Sequence, residues 1–151
     1  MKTLHVSIEK QLVELREDSQ VLLTLPVSTS KFGLGTEEGS NRTPLGTFRI
    51  CEKYGCRAPS GTVFRGRVPI GQWSPGKKLG EDLVLTRIFR LEGCEPKNAN
   101  TYQRYIYFHG TDQEHLIGSP ASHGCIRLRN DDMITLFDLT PVGVRVDINL
   151  T

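Results

Sequence analysis

One stretch near the end of the chain concentrates side chains that can carry out nucleophilic chemistry. His109 precedes Cys125 by 16 residues, and Cys125 stands within the run Ser122-His123-Gly124-Cys125-Ile126-Arg127. A cysteine attacks as its thiolate, so it needs an adjacent base or a local positive charge that lowers the pKa of the thiol. If the intervening loop folds back, this spacing brings the imidazole of His109 to the sulfur and predicts covalent catalysis.

Glycines stand next to both reactive residues. Gly110 follows the histidine and Gly124 precedes the cysteine. Because glycine has no Cβ, both positions allow tight turns and a close approach of a substrate to the backbone. The backbone N–H groups of residues 123–125 are candidates to converge on a developing oxyanion.

Two other interpretations of these residues have to be weighed. A cysteine or a histidine taken alone is most often a buried structural group. His109, His115, His123 and Cys125 together also form a possible set of metal ligands. The many glycines and the lack of nearby acidic candidates to support such ligands argue against this site. We therefore expect no metal and no cofactor, and the spacing of the whole motif favours catalysis.

The hydrophobic pattern predicts a mostly-β scaffold for this motif. Leu4, Val6 and Ile8 alternate with polar residues at the period of a half-buried strand. Residues 12–15 and 21–28 continue the pattern after short turns, which indicates an antiparallel meander. Further strands are predicted over residues 47–50, 83–91, 105–108 and 144–150.

The reactive residues are expected at the ends of regular elements. His109 leaves a predicted strand, and Cys125 lies shortly before a predicted helix. Asn130 is a favourable N-cap for that helix, and Pro141 lies just past its end. The apolar face of the helix consists of Met133, Ile134, Leu136 and Phe137.

Two long segments are rich in turn-forming residues. They cover residues 28–44 and 55–80, and the apolar runs Val63-Phe64 and Val68-Pro69-Ile70 interrupt the second one. Loops of this length within a small domain commonly bind ligands. We therefore expect long loops around the reactive residues.

The length and composition of the chain limit the classes of protein to which it can belong. Its 151 residues suit a single domain spanning residues 1–151. Apolar residues make up 37%, and the formal net charge of +2 is too balanced for nucleic-acid binding dominated by phosphate contacts. No run approaches the roughly 20 apolar residues that a membrane span requires. The sequence therefore predicts a globular protein with neither a nucleic-acid nor a membrane partner.

The other cysteines and the N-terminus bear on the cellular compartment. Cys51, Cys56 and Cys94 have no spacing typical of a zinc site, although four cysteines could arithmetically form two disulfides. The first ten residues alternate apolar and polar types and lack the apolar core of a secretory signal. We expect reduced thiols and a cytoplasmic protein. A periplasmic location is the alternative if a signal peptide has been removed.

The motif resembles the signature of a known family. His109-Gly110-Thr111 and the run from Ser122 to Leu128 look like the L,D-transpeptidase catalytic domain, also called the YkuD-type domain. Residues 26–29 and 43–48 resemble the strand and loop that precede the site in this family, so the resemblance covers nearly the whole chain. It implies a mostly-β sandwich or barrel-like fold with one short helix after the catalytic cysteine. It also implies action on the peptidoglycan stem peptide, between the L-centre of meso-diaminopimelate and D-alanine.

The resemblance assigns catalytic roles to four residues. Cys125 corresponds to the nucleophile and His109 to the base that activates it. The backbone carbonyl of Gly110 corresponds to the group that orients this histidine. His123 is the second candidate for proton transfer and helps to shape the site.

The resemblance also implies five residues around the substrate. Ser122 and Gly124 hold the loop and the oxyanion donors. Arg127 faces the substrate carboxylates or locks the loop, and a purely structural ion pair is an equally open alternative. Tyr107 and Thr111 are expected to form walls of the cleft.

The chain departs from the pattern of exported family members. Those that cross-link the cell wall are usually exported and often carry a wall-binding module, and neither is evident in this sequence. We therefore expect an L,D-carboxypeptidase that acts on soluble peptidoglycan fragments, the stem tetrapeptides, during cell-wall recycling. Cross-linking transpeptidation is the first alternative, and an inactive stem-peptide-binding module is another. Carbapenem-type inhibitors are expected to acylate the cysteine, and the sequence leaves the oligomeric state open.

Overall fold

The computed structural model describes residues 1–77 and 82–151, and within them it contains ten β-strands and one α-helix. The mostly-β class is confirmed, and so is the single short helix after Cys125. The strands are β1 (Lys2–Ser7), β2 (Leu12–Glu17), β3 (Gln20–Pro26), β4 (Gly46–Tyr54), β5 (Thr62–Arg65), β6 (Val68–Gln72), β7 (Val84–Gly93), β8 (Tyr107–Gly110), β9 (Ile126–Leu128) and β10 (Arg145–Asn149). The helix is α1 (Asn130–Leu139), and short 3-10 helices cover Pro96–Asn98 and Glu114–Leu116.

The predicted N-terminal meander is confirmed. β1 pairs antiparallel with β2, and β2 pairs antiparallel with β3. Leu4 lies opposite Leu15, and Val6 lies opposite Val13. All four side chains are buried, which is the expected result of apolar residues alternating on one face of a sheet.

Long-range pairing extends the meander into one large sheet. β10 lies between β1, to which it is parallel, and β4, to which it is antiparallel. The order of strands is β3-β2-β1-β10-β4-β7-β5-β6, and β8 branches from β7 to pair with β9. The C-terminal strand therefore joins the first and second halves of the sheet.

Isolated bridges bring two distant parts of the chain together. The N–H of Ser28 donates to the carbonyl of Arg127 at 2.8 Å, and the N–H of Arg127 donates back at 2.9 Å. Because Ser28 follows β3 and Arg127 lies in β9, this bridge links the β3 end of an open mixed sheet to the branch formed by β8 and β9. Residues from β1, β8 and α1, including Leu4, Phe108 and Leu136, accordingly share one hydrophobic core.

The strand predicted over residues 105–108 was misplaced. β8 spans Tyr107–Gly110, so His109 lies inside the strand and does not leave it. Tyr105 has a positive φ of 56°, which an extended strand cannot accommodate. The strand therefore begins only after this turn.

Part of the segment predicted as a long loop is a β-hairpin. The apolar runs at residues 63–64 and 68–70 lie in β5 and β6, which pair antiparallel, and β5 also pairs with β7. Val63 and Phe64 are buried there. Residues 78–80 of the predicted loop lie outside the described residues. β9 is a strand that the sequence pattern did not predict.

The helix follows its predicted apolar pattern but not its predicted cap. Met133, Leu136 and Phe137 are buried, whereas Ile134 is half-buried. Asn130 is the first helical residue and not the N-cap, which is Arg129 without a capping side chain. A carboxylate from outside the helix, Glu114 Oε2, accepts the N–H of Asn130 at 2.8 Å. In the described part of the chain, α1 is far too short to cross a bilayer.

Candidate active site

The pairing of β8 with β9 brings the sequence motif together. The two strands run parallel, with Phe108 opposite Ile126 and His109 opposite Arg127. Because side chains alternate across a strand, His109 and Arg127 share one face, while Phe108 and Ile126 point into the core. Cys125 immediately precedes β9 and therefore lies beside this polar face.

The backbone of residues 105–107 holds the sulfur of Cys125. The N–H of Tyr107 donates to Sγ at 3.4 Å, and the S–H can donate to the carbonyl of Tyr105, also at 3.4 Å. The positive φ of Tyr105 turns the chain so that this carbonyl lies next to the sulfur. Burial raises the pKa of the Cys125 thiol to about 12, so the thiol is neutral before a substrate binds.

His109 is oriented as a base by its own strand. Its side chain is almost fully buried, and Nδ1 lies 2.5 Å from the carbonyl oxygen of Gly110. A carbonyl only accepts, so Nδ1 carries the proton and Nε2 keeps its lone pair. Burial lowers the pKa of His109, which favours the neutral imidazole at pH 7. This is the contact with Gly110 that the family resemblance implies.

The pKa shifts of Cys125 and His109 both favour the neutral form of each group before a substrate binds. A raised pKa on the thiol and a lowered pKa on the imidazole disfavour a stored thiolate–imidazolium ion pair. Proton transfer from sulfur to nitrogen is then expected to accompany attack on a bound carbonyl. The contacts of Sγ within the described residues go to the backbone of Tyr105 and Tyr107, so activation of the thiol by His109 stays a prediction.

Asn130 holds the backbone that follows His109. Its Nδ2 donates to the carbonyl of Thr111 at 2.9 Å, and its Oδ1 accepts the hydroxyl of Thr86. A Cβ at Gly110 would lie only 2.2 Å from Oδ1, so glycine is needed there for close approach. The residue type of Asn130 predicted only a helix cap, and this buried contact is visible only in the folded chain.

Asp82, which the sequence pattern did not predict as a site residue, connects His123 with Arg127. Its Oδ2 lies 3.1 Å from Nδ1 of His123, and its Oδ1 accepts from Nη1 of Arg127 at 2.9 Å. Burial alone would raise the pKa of Asp82, but His109, Arg127 and the hydrogen bond from His123 together lower it. Asp82 precedes His123 by 41 residues and stands in no recognisable motif, so only tertiary contacts reveal it.

Arg127 itself is part of the frame of the site. The residue is fully buried, and its Nη1 also donates to Oε1 of Gln113 at 2.7 Å. The ion pair with Asp82 is the structural alternative that the sequence left open. Nε and Nη2 of Arg127 are buried without a hydrogen-bond partner among the described residues, and contact with a substrate carboxylate stays a prediction.

Ser122 and Gly124 shape the turn that presents the cysteine. The hydroxyl of Ser122 donates to the carbonyl of Cys125 at 2.7 Å and accepts the N–H of Gly124 at 3.3 Å. Gly124 has a φ of 121°, a conformation that favours glycine. The contact with Ser122 occupies the Gly124 N–H, so the predicted convergence of all three N–H groups is wrong. For the N–H groups of His123 and Cys125, the role of oxyanion donors stays a prediction.

Comparison with known proteins agrees with this geometry. The model of the L,D-transpeptidase catalytic domain (YkuD) matches residues 1–148. The chain belongs to the L,D-transpeptidase (YkuD) family.

Relatives and solved structures extend the family match. The Bacillus subtilis protein YqjB, named as an L,D-transpeptidase, is 50% identical over 115 residues, which are 76% of this chain and 56% of YqjB. YkuD of Bacillus subtilis is 49% identical over 144 residues, which are 95% of this chain and 63% of YkuD. The chain thus spans about three fifths of the length of these relatives. The crystal structure of an L,D-transpeptidase from Xylanimonas cellulosilytica shares the fold, with a TM-score of 0.65, 21% identity, and coverage of 98% of this chain and 60% of that one.

Tyr107 and Thr111, the two residues expected to form walls of the cleft in this YkuD-family site, lie in different surroundings. The ring of Tyr107 packs with Phe64 and Ile88 in a small apolar cluster that Cys125 also contacts. Thr111 is fully buried, and its hydroxyl accepts the N–H of Gln113 at 3.0 Å. The side chain of Thr111 is therefore buried in this structure, and its role as a cleft wall stays a prediction.

The alternative of a metal site has no geometric basis in the described residues. His115 lies exposed in the second 3-10 helix. Across residues 1–77 and 82–151, no three His, Cys, Asp or Glu side chains converge as metal ligands. Cys51, Cys56, Cys94 and Cys125 are all free thiols in this structure.

Proposed function

We propose that this YkuD-family domain is an L,D-carboxypeptidase. It cleaves the stem tetrapeptide of peptidoglycan between the L-centre of meso-diaminopimelate and D-alanine, through a thioester on Cys125. The observation that carries this proposal is the position of the Cys125 thiol beside one face of β8 and β9. That face bears His109, whose neutral imidazole is hydrogen-bonded through Nδ1 to the carbonyl of Gly110. The names of the relatives support acyl transfer from peptidoglycan peptides.

Acylation begins when a bound amide carbonyl reaches the sulfur. Nε2 of His109 takes the proton from Sγ as the sulfur forms a bond to the carbonyl carbon. Negative charge develops on the carbonyl oxygen, where the N–H groups of His123 and Cys125 donate. The carbon–nitrogen bond then breaks, and the proton on Nε2 goes to the departing amine of D-alanine.

Deacylation consumes one water molecule. Its oxygen attacks the thioester carbonyl, a proton returns to sulfur, and the tripeptide leaves with a new carboxylate. The imidazole of His123 has 44% of its side-chain surface exposed, and Asp82 orients it through Nδ1. Its Nε2 is therefore a second base available to an incoming water, which supports hydrolysis.

An amine acceptor would give a different product from the same thioester. If the side-chain amine of a second stem peptide binds in place of water, the enzyme forms a cross-link as a transpeptidase. The balance depends on the concentration of the acceptor and on how well it is positioned. We propose soluble fragments in the cytoplasm as the substrate, where the concentration of water exceeds that of any amine.

The deciding experiment is mass spectrometry of a purified disaccharide-tetrapeptide after incubation with the protein. We expect disaccharide-tripeptide and free D-alanine, and no reaction with the Cys125→Ala variant. Cys94→Ala is the matched control, because Cys94 is exposed and outside the site. A product dominated by cross-linked dimers at micromolar substrate would instead establish transpeptidation. Absence of both products, together with no labelling by a carbapenem, would establish an inactive binding module.

A further inference from the structure

The hairpin of β5 and β6 carries an arginine in an unusual position. Gly66 and Arg67 form the two-residue turn between the strands, and both have positive φ, 55° and 68°. This is the backbone of a type I′ turn, in which the second position usually holds glycine. A side chain other than Asn, Asp or Gly is strained there, and such strain is concentrated at functional sites.

The side chain of Arg67 folds back from the turn onto the active site. Its Nη1 donates to the hydroxyl of Tyr107 at 3.0 Å, and its guanidinium carbon lies 5.6 Å from the ring centre of Tyr105. These two residues are the ones whose backbone N–H and carbonyl contact the sulfur of Cys125. The guanidinium is therefore held over the same short segment that holds the nucleophile.

The charge of Arg67 lacks a carboxylate partner in the part of the chain that the structure describes. Arg90 also lies near the Tyr105 ring but has a carboxylate partner. Its Nη1 lies 3.4 Å from a carboxylate oxygen of Glu52, and its guanidinium stacks on Tyr102. The ion pairs among the described residues include none of Arg67. Its side chain is half-buried, and the hydrogen bond that its guanidinium makes there is the one from Nη1 to Tyr107.

A planar cation held on one edge and free on the other is a receptor for a carboxylate. The remaining N–H groups of the guanidinium match the two oxygens of a carboxylate, and the aromatic rings below it restrict its movement. On the basis of the proposed function, we infer that Arg67 binds a substrate carboxylate that flanks the scissile amide. Two carboxylates have this chemistry: that of the terminal D-alanine, and that on the D-centre of meso-diaminopimelate.

The inference gives Arg67 and Arg127 different roles. Arg127 is buried and neutralised by Asp82, so it stabilises the frame. Arg67 belongs to a hairpin that is far from the motif in sequence, and it places a positive charge beside Tyr105 and Tyr107. The predicted recognition of the substrate carboxylate is thereby transferred from one arginine to the other.

Binding to the inactive Cys125→Ala variant tests this inference without turnover. Calorimetry compares three ligands: the stem tetrapeptide, the same peptide amidated at its terminal D-alanine, and the same peptide amidated at the D-centre of meso-diaminopimelate. We expect one of the two amidations to weaken binding about tenfold, as expected for a lost charge-assisted hydrogen bond. The sensitive amidation identifies the carboxylate.

Second substitutions in that background supply the controls. Arg67→Gln should weaken binding of the free peptide about tenfold and abolish the effect of amidation, while Arg67→Lys should restore part of the affinity. Arg65→Gln removes the same charge from an exposed position on the same hairpin and should change neither value. Unchanged affinity in Arg67→Gln, or a full amidation effect that persists in it, overturns the inference. Failure of all three peptides to bind would overturn the proposed substrate itself, which is a distinguishable result.

Discussion

Replacement of Asn130 by alanine is expected to impair the catalytic base without touching it. The carboxamide of Asn130 holds the carbonyl of Thr111, the residue after Gly110. The carbonyl of Gly110 in turn fixes the proton on Nδ1 of His109. Without Asn130 this stretch of backbone can rotate, and the tautomer with its proton on Nε2 becomes accessible. That tautomer cannot accept the proton of the thiol.

The structure allows the size of two effects of Asn130→Ala to be worked out, the loss of stability and the loss of acylation rate. Asn130→Ala leaves the buried carbonyl of Thr111 without its donor, and it removes the acceptor of the buried Thr86 hydroxyl, which still accepts the N–H of Gly61. Each lost buried hydrogen bond costs about 1–3 kcal/mol, so the free energy of unfolding should fall by about 2–6 kcal/mol. A positioned general base contributes about 10²–10⁴-fold to a rate, and a partly misoriented one should lose about 10- to 100-fold.

Stopped-flow acylation by a carbapenem measures the rate, and thermal unfolding measures the stability. Glu114→Ala is the control, because Glu114 accepts the N–H of Asn130 at the start of α1 but does not contact Thr111 through its side chain. This control should lower the melting temperature and leave the acylation rate near that of the wild type. If Asn130→Ala loses stability but acylates at the wild-type rate well below its melting temperature, the positioning argument is wrong.

The remaining predictions concern the catalytic residues and the thiols. Cys125→Ala should abolish labelling by an acylating β-lactam with the fold intact by circular dichroism, and equal labelling would contradict its role as nucleophile. His109→Ala should lose about 10²–10⁴-fold in single-turnover acylation and His123→Ala less, and the reverse order would exchange their roles. Because burial lowers the pKa of His109, the unprotonated base persists below pH 6.5, so the acid limb of the acylation profile should fall below that pH. Thiol titration of freshly isolated, denatured protein should find four free groups, and two would reveal a disulfide.

The sequence by itself determined the local features of this protein. Apolar alternation placed the meander of β1 to β3, and the helical spacing of Met133, Leu136 and Phe137 placed α1, because each pattern depends only on neighbouring residues. The motif from His109 to Cys125 was sufficient to identify the family. Its chemistry follows from residue types and spacing, which need no coordinates.

Only the tertiary structure decided which distant groups complete the site. Asp82, Asn130 and Arg67 stand in no motif with Cys125, and each reaches the site through strand pairing or a loop far along the chain. The same holds for β10, whose place between β1 and β4 joins residues from both ends of the chain. Periodicity shows which face of a strand is buried, but not which strand lies beside it. That choice depends on the simultaneous packing of the whole core, so the charges and hydrogen bonds around the nucleophile become visible only in the folded protein.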